Sequence, residues 1–227
     1  SPHLQDFRER IRVDGEMIPK QKVVNFVDKH HDKMVELELS FFEMTAALAF
    51  DYFAQSDVEV AVIETARGTV RAELFGREAP VTVGNFIELA AKGFYDNLKF
   101  HARKPGSVVL CGCPTTRTMG PAQVLAAAQG AIRGMHPGTG DARYTIIDEW
   151  EGNPRNRHVL GSLCMAHKSA PNSGSCQFYF SLGDQPEFDD KYTVFGQVTE
   201  GLEVIEMPMD PLRGSWCRTC GKAARTS

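Results

Sequence analysis

The stretch Phe100-His101-Ala102-Arg103-Lys104-Pro105-Gly106-Ser107 decides the fold of this chain, because it lies between two predicted β-strands, at residues 98–103 and 108–112. Short apolar or alternating runs predict further strands in the second half of the sequence, at residues 158–166, 177–182 and 193–198. Many short strands separated by Gly-rich turns are typical of antiparallel barrels. The sequence therefore predicts a mainly β domain.

A β-hairpin is predicted upstream of that stretch. Residues 58–64 alternate in polarity, Arg67-Gly68 supplies a turn, and residues 69–75 supply the second strand. The short spacing between the two strands predicts that they pair directly.

Two helices accompany the strands. The first is predicted at residues 83–92, with Thr82 as its candidate N-terminal cap and Gly93 just past its end. The second is short and is predicted at residues 202–207. Both lie outside the predicted strands, where they are positioned to cap the barrel.

Residues 1–57 are predicted to form a separate helical extension. Apolar residues recur at spacings of three and four over residues 21–55, and neither Gly nor Pro interrupts them, so we expect one long helix. Its apolar face broadens after Ser40 and needs cover on more than one side. The helix either packs on its own domain or docks into a partner protein. We favour a protein partner, because the domain that follows is complete without it.

Composition limits the classes of partner. The chain has 227 residues, of which 42% are hydrophobic and 24% charged, as in an ordinary globular protein. Its formal net charge of −4 opposes nucleic acid as a main partner, because phosphate binding needs a basic face. No apolar run approaches the length of a membrane span.

The chain opens with Ser1 rather than Met, as expected of a processed or trimmed product. Loss of a transit peptide from a chloroplast or mitochondrial protein is one explanation, and trimming of the sequence is another. The sequence does not separate the two.

Six cysteines raise the question of a metal site. Cys217 and Cys220 form a CxxC, and Cys111 with Cys113 is a candidate second pair for zinc. However, Cys217 and Cys220 lie in a predicted terminal strand, where residues three apart point to opposite faces. We therefore expect reduced thiols and no metal.

Several motifs, in order, resemble the cyclophilin family of peptidyl-prolyl isomerases. They match the family's first helix, its active-site strand and its later strands, at residues 78–86, 93–101, 158–166, 171–179, 191–198 and 219–221. The resemblance covers residues 58–221 and leaves residues 222–227 as a tail. It implies an eight-stranded antiparallel closed barrel capped by two helices, with an apolar groove that accepts proline.

The resemblance also implies a chemistry that needs no cofactor. Rotation about an X-Pro bond breaks amide resonance, with a barrier of about 18–20 kcal/mol. In the twisted state the proline nitrogen regains its lone pair, so a donor aimed at it binds the transition state better than either planar form. In the family an arginine is that donor.

This chain departs from the family at that arginine, because Ala102 occupies the position. Arg103 is the possible substitute, but one step along a strand turns a side chain to the opposite face. A bulge or a register slip would be needed to bring Arg103 into the groove.

Other groove positions are changed or retained. Ser107 stands for the pocket phenylalanine and Glu187 for the family tryptophan. The resemblance places these residues in the groove: His101, Val108, Leu110, Ala166, Gln177, Tyr179, Phe188 and Tyr192. Among them, Leu110 replaces the backbone-holding glutamine, Tyr179 a phenylalanine and Tyr192 a histidine.

An insertion of about twenty residues, at residues 117–136, departs further from the family. Residues 124–132 within it favour a helix. By its position the insertion covers the groove, contacts a partner or is a solvated excursion.

Two functions follow from these observations. In the first, the chain is a cyclophilin-like proline-peptide-binding or scaffold protein with weakened or lost isomerase activity, an accessory subunit of a larger complex. In the second, it is an active isomerase that assists protein folding. The edited groove, the insertion and the apolar helix favour the first.

Overall fold

A curled antiparallel sheet forms the centre of the computed structural model, which describes residues 6–13, 16–55, 60–132, 136–208 and 217–224. Its strands are β3 Val60–Thr65, β4 Gly68–Leu74, β5 Ala102–Lys104, β6 Val108–Cys111, β7 Ser162–Met165, β8 Phe178–Ser181, β9 Val194–Glu200 and β10 Cys217–Ala224. They are arranged in the order β10-β3-β4-β9-β7-β8-β6-β5. Seven of them form a half-barrel, and the eighth, β10, pairs with β3.

The mainly β prediction is confirmed, whereas closure of the barrel is not established. Closure requires β5 to pair with β10, and that pair is not among the strand pairs of the described ranges. The predicted hairpin is confirmed: β3 and β4 pair antiparallel, with Thr65 opposite Gly68 across a two-residue turn. Cys217 and Cys220 lie on β10, the predicted terminal strand.

The described residues also form five α-helices and a short strand pair near the N-terminus. The helices are α1 Lys20–Glu36, α2 Phe41–Gln55, α3 Pro80–Ala91, α4 Pro121–Ala128 and α5 Leu202–Glu206. The short pair is β1 Arg12–Val13 with β2 Glu16–Met17. Single 3-10 turns occur at Phe7–Arg10, Pro114–Thr116 and Pro186–Phe188. None of the helices in the described part of the chain is long and apolar enough to cross a membrane.

The prediction of one long N-terminal helix is wrong, because residues 37–40 break it into α1 and α2. Glu38 adopts a left-handed backbone conformation with φ of 50°. Ser40 then starts α2 with reciprocal hydrogen bonds: its Oγ accepts from the Glu43 backbone N–H at 3.3 Å, and its N–H donates to the Glu43 carboxylate at 2.8 Å. This Ser-x-x-Glu capping box stops the apolar pattern from continuing as one helix.

The second helix packs on its own domain, and the first packs on the second. α2 contacts α3, and α1 contacts α2. Leu48 and Ala49 of α2 are buried in the same core as the sheet, and so are Phe26 and Met34 of α1. The extension is therefore partly a structural layer, and only one side of α1 is left to face solvent.

A carboxylate distant in sequence caps α3. Glu149 accepts from the backbone N–H groups of Val81 at 3.0 Å and Thr82 at 2.8 Å. The helix begins at Pro80, so Thr82 lies inside its first turn and the prediction of Thr82 as the cap is wrong. Gly93, with φ of 66°, follows the helix end as expected.

An aromatic cluster joins α3 to the sheet. The ring of Phe86 lies 5.2 Å from Tyr95, 5.4 Å from Phe178 and 5.3 Å from Phe195. Tyr95, Phe178 and Phe195 are fully buried. This packing fixes α3 on the inner face of β8 and β9.

The insertion contains one short helix. α4 spans Pro121–Ala128, earlier than the predicted 124–132, and Met119, Val124 and Ala127 form a small cluster of their own. Lys99 Nζ donates to the Arg117 carbonyl at 2.6 Å, which anchors the start of the insertion beside residues 94–99.

Replacing Ser40 with Ala should lower the free energy of unfolding by about 1 kcal/mol, because the first turn of α2 loses its cap. Ser40→Thr keeps the hydroxyl and is the matched control. Chemical denaturation followed by circular dichroism measures both variants. An Ala variant as stable as the wild type would contradict the assigned capping box.

Candidate functional site

The β5–β6 hairpin sets which side chains face the candidate groove. Ala102 pairs with Leu110 and Arg103 pairs with Val109. Directly opposed residues of an antiparallel pair share a face, and successive residues alternate. Val109 is buried in the core, whereas Ala102 and Leu110 together line the groove. The register therefore directs the alanine, and not the arginine, into the groove.

The groove has a volume of about 220 Å³. It is lined by His101, Ala102, Leu110, Gly138, Gly140, Asp141, Ala166, His167, Lys168, Ser173, Ser175 and Gln177. Four of the eight residues assigned from the sequence, His101, Leu110, Ala166 and Gln177, thus come together here. Their roles in peptide binding stay predictions.

The other four assigned residues, Val108, Tyr179, Phe188 and Tyr192, form an apolar patch beside the groove. Val108 and Tyr192, together with Leu110 and Ala166 of the groove, pack against a buried cluster that contains Tyr179. The ring of Tyr192 lies 5.9 Å from that of Tyr179 and 5.3 Å from that of Phe188. Because Leu110 and Ala166 belong to both regions, the patch and the groove are continuous.

Arg103 has a partner outside the groove. Its Nη2 donates to the backbone carbonyl of Glu206 at 2.7 Å, which ties β5 to the last residue of α5. Arg103 is not among the groove-lining residues. In this conformation its guanidinium serves as a link between two elements.

Most polar groups of the groove are already engaged. Gln177 Nε2 donates to the carbonyls of Gly138 at 2.8 Å and Gly140 at 2.7 Å. Lys168 Nζ lies 3.3 Å from the carboxylate of Asp141. Both N–H groups of the Gln177 amide are therefore engaged, whereas the exposed Lys168 ammonium has further N–H groups to donate.

His167 is similarly committed. Its two ring nitrogens lie beside the backbone carbonyls of Lys168 and Lys191, with Nε2 2.6 Å from the latter, and a neutral imidazole donates to one of them. Its ring stacks on Tyr192 at 4.4 Å between centroids. This loop histidine therefore supports the aromatic patch.

A buried hydrogen-bond chain holds the floor of the patch. The Tyr179 hydroxyl lies 3.0 Å from His158 Nε2, and His158 Nδ1 lies 2.9 Å from Asp189 Oδ1. An ionised carboxylate can only accept, so Nδ1 donates to Asp189 and Nε2 accepts from Tyr179. The hydroxyl thus points away from the groove, and the tyrosine presents only its ring.

Burial and hydrogen bonding set the charges of the three side chains in this hydrogen-bond chain. Burial lowers the pKa of His158, although Asp189 partly offsets the effect. Burial alone would raise the pKa of Asp189, but hydrogen bonds from the His158 backbone and ring outweigh it and the pKa is lowered. Burial raises the pKa of Tyr179. At neutral pH this hydrogen-bond chain therefore consists of a neutral His158, an ionised Asp189 and a neutral Tyr179.

Sequence reasoning missed His158 and Asp189. The available signal was Tyr179 itself, because a buried tyrosine hydroxyl needs a hydrogen-bond partner. It also missed the partner of Ser107, which is buried and whose Oγ donates to Gln185 Oε1 at 3.0 Å. Asp141, Lys168, Ser173 and Ser175, which line the groove, were not assigned from the sequence either.

His101 is the most strongly shifted histidine. It is 2% exposed, and neither ring nitrogen makes a hydrogen bond of standard geometry to the described residues. Burial lowers its pKa from 6.5 to about 4, although the Lys99 backbone and Gln177 lie near enough to offset this slightly. The groove therefore holds a neutral imidazole.

The free energy of unfolding should fall by about 3 kcal/mol on account of His101 between roughly pH 7 and pH 4. The sign follows from the lowered pKa: as the pH falls below 6.5, the unfolded state takes up the proton first and is stabilised. The His101→Gln variant should lack this contribution, measured by denaturation across pH. His136→Gln, at an exposed site, is the control. Parallel pH profiles for wild type and His101→Gln would refute the assignment.

Comparison with known proteins identifies the family. Residues 60–210 match the model of the cyclophilin type peptidyl-prolyl cis-trans isomerase/CLD family. A Synechococcus elongatus peptidyl-prolyl cis-trans isomerase is 37% identical over 147 residues, covering 64% of this chain and 85% of that protein. Peptidyl-prolyl cis-trans isomerase B of Bacillus subtilis is 42% identical over 134 residues, covering 59% and 78%.

A solved structure agrees with these matches. The Cryptosporidium parvum cyclophilin type isomerase, crystallised in the presence of the dipeptide Ala-Pro, aligns with a TM-score of 0.54 and 25% identity. The alignment covers 70% of this chain and 96% of that one. The motifs, the sheet and the groove thus have one explanation, and the chain belongs to the cyclophilin-type peptidyl-prolyl isomerase family.

Proposed function

We propose that this chain binds proline-containing peptides with weakened or lost isomerase activity. The observation that carries the proposal is the register of the β5–β6 hairpin, which directs Ala102 into the groove and Arg103 to the Glu206 carbonyl. A methyl group offers no hydrogen to the proline nitrogen in the twisted state. The transition state therefore lacks the donor that would favour it over the planar forms.

Peptide binding depends on other parts of the site. Leu110, Ala166 and the rings of Phe188 and Tyr192 offer the apolar contact that a proline ring needs. In our proposal β5 and β10 also close the barrel behind this surface. The Cryptosporidium parvum relative, crystallised in the presence of Ala-Pro, supports a prolyl ligand for this region.

An active isomerase is the second candidate. Its support is that the similar Synechococcus elongatus and Bacillus subtilis proteins are named as isomerases. For this candidate Arg103 would have to leave the Glu206 carbonyl and cross to the other face of β5. Activity measurements separate the two candidates.

The isomerase activity on a proline peptide should be at least about a hundredfold below that of the Bacillus subtilis relative, because loss of one oriented donor costs about 2.7–4 kcal/mol. Arg103→Ala should leave the residual rate within about twofold, whereas Ala102→Arg should raise it about tenfold or more by restoring a donor. Lys104→Arg, on the same strand but exposed, is the matched control. A wild-type rate equal to that of the relative, abolished by Arg103→Ala, would establish the active isomerase instead.

We further propose that the N-terminal helices join the chain to a larger assembly. Large apolar side chains remain exposed on α1 and at the turn after it, including Val35 at 63%, Leu37 at 54% and Phe41 at 59%. Contiguous exposed apolar surface of this kind marks interaction sites. The packing of α2 on α3 would hold such an assembly close to the domain that carries the groove.

Native protein in a cell extract should migrate in a complex larger than a dimer, and Phe41→Glu should shift it to lower mass. The reason is that a charge on the exposed helical face prevents apolar docking. Ile147→Glu, at a site that is 56% exposed on the sheet domain, is the matched control. Migration unchanged by Phe41→Glu on a native gel would remove the docking role.

A further inference from the structure

A self-complementary stripe runs along the free face of α1. It consists of Lys20, Val24, Val27, His31 and Val35 on the helix, followed by Glu38 just past its end. At 100° per residue the five helical positions fall within an arc of about 80°. Glu38, beyond the helix end, borders the same groove as Val27, His31 and Val35. Val24, Val27 and Val35 are 48%, 40% and 63% exposed, which is high for β-branched apolar side chains.

The stripe borders an apolar groove of about 520 Å³ between the first two helices, here called the helical groove. One wall is α1; the other is α2, with Phe41, Met44, Thr45 and Leu48. Within the described ranges, α2 is the helix that packs on α1, so the stripe faces outward. A helix laid in the helical groove would contact both walls.

Several charges of α1 oppose its own dipole. Lys20 and Lys22 lie in the first turn, which has no acidic residue, and Glu36 and Glu38 lie at the other end. Lys33 in the last turn offsets this in part, through its ion pair with Glu36 at 3.1 Å. Positive charge at a helix N-terminus and negative charge at its C-terminus are both unfavourable. An antiparallel helix placed alongside would reverse both effects, because each end would then meet the opposite charge.

The spacing of the stripe specifies which helix fits. Lys20 and Glu38 lie equally far from Lys29, on either side of it, and so do Val27 and His31. A twofold axis at the level of Lys29 therefore sets Lys20 of one copy against Glu38 of the other, twice. It also sets Val27 of each copy against His31 of the other. Lys29 itself projects from the opposite side of the helix.

We infer that the occupant of the helical groove is α1 of a second copy of this chain, packed antiparallel to form a four-helix arrangement of two hairpins. Such bundles form when hairpins pair their apolar stripes. The contact is isologous, so both ends are stabilised by the same ion pair. The inference deepens the proposed interaction role of the helices and rests on it.

The test uses purified full-length protein in sedimentation equilibrium, from about 1 to 200 μM, a range that spans the affinity of weak interfaces. The wild type should approach twice the chain mass of 25.1 kDa as concentration rises. Lys20→Glu and Glu38→Lys should each raise the dissociation constant about tenfold, because each turns two attractive pairs into repulsive ones. Lys29→Glu, off the stripe, is the control.

Mixing gives the sharper outcome. In an equimolar mixture of Lys20→Glu and Glu38→Lys, both contacts of the mixed dimer join Glu to Lys, so association should return to within about threefold of wild type. A different arrangement would not be rescued in this way. Because the same two preparations are weak alone and strong together, misfolding does not explain rescue.

Two results would overturn the inference: a wild type that stays monomeric throughout, or a mixture no stronger than its components. After either result, the native gel of the cell extract would still test whether the helices dock into an assembly. A complex larger than a dimer there would show that a different protein occupies the helical groove. If the extract contains no complex larger than a dimer while rescue is intact, the interaction role of the helices is dimerisation and the larger assembly is excluded.

Discussion

The register of the β5–β6 hairpin is the constraint on which the candidate site depends. Leu182 N–H donates to the Ser107 carbonyl at 2.7 Å, and β6 pairs with β8 from Val108 to Cys111, so the hairpin is held by its neighbour in the sheet. If the whole hairpin slipped by one residue along β8, Arg103 would replace Ala102 in the groove. The same slip would move Val109 of β6 out of the core. Burial of Val109 in the core therefore also fixes Ala102 as the residue that faces the groove.

Close backbone contact near Gly112 reinforces that register. Gly112 has φ of 91°, and a Cβ there would lie 2.4 Å from the Cys176 carbonyl oxygen. Cys113, next along the chain, accepts a hydrogen bond from the Gly138 N–H at its sulfur, at 3.1 Å. Gly138 in turn holds Gln177 through its carbonyl. The wall of the groove is thus built from backbone that a larger residue would displace.

Much of the fold was predictable because it follows local patterns. Alternation and a two-residue turn predicted β3 and β4, and the Pro-Gly stretch between apolar runs predicted β5 and β6. The break between α1 and α2 was missed because apolar spacing continues through it. Ser40 and Glu43 carried the signal, but a capping box was outweighed by the uninterrupted apolar pattern.

The parts of the site that were missed depend on contacts distant in sequence. Glu149 reaches the N-terminus of α3 from a loop that follows the insertion, and Asp189 meets His158 across the 3-10 turn Pro186–Phe188. Neither carboxylate belongs to a local sequence pattern that predicts its hydrogen-bond partner. The resemblance placed Tyr179 on the pocket floor but gave no information on the group that would hold its hydroxyl.

The proposed function assigns peptide binding and catalysis to different groups of the site. An apolar patch contacts the proline ring in the cis, trans and twisted states alike, so it lowers the energy of all three and leaves the barrier unchanged. Only a donor directed at the nitrogen distinguishes the twisted state. In the proposed function, Ala102 in place of the arginine removes the selective term and leaves the uniform one. The contact with His158 draws the Tyr179 hydroxyl away from the groove, which leaves an apolar surface of the kind that the proposal requires for a prolyl segment.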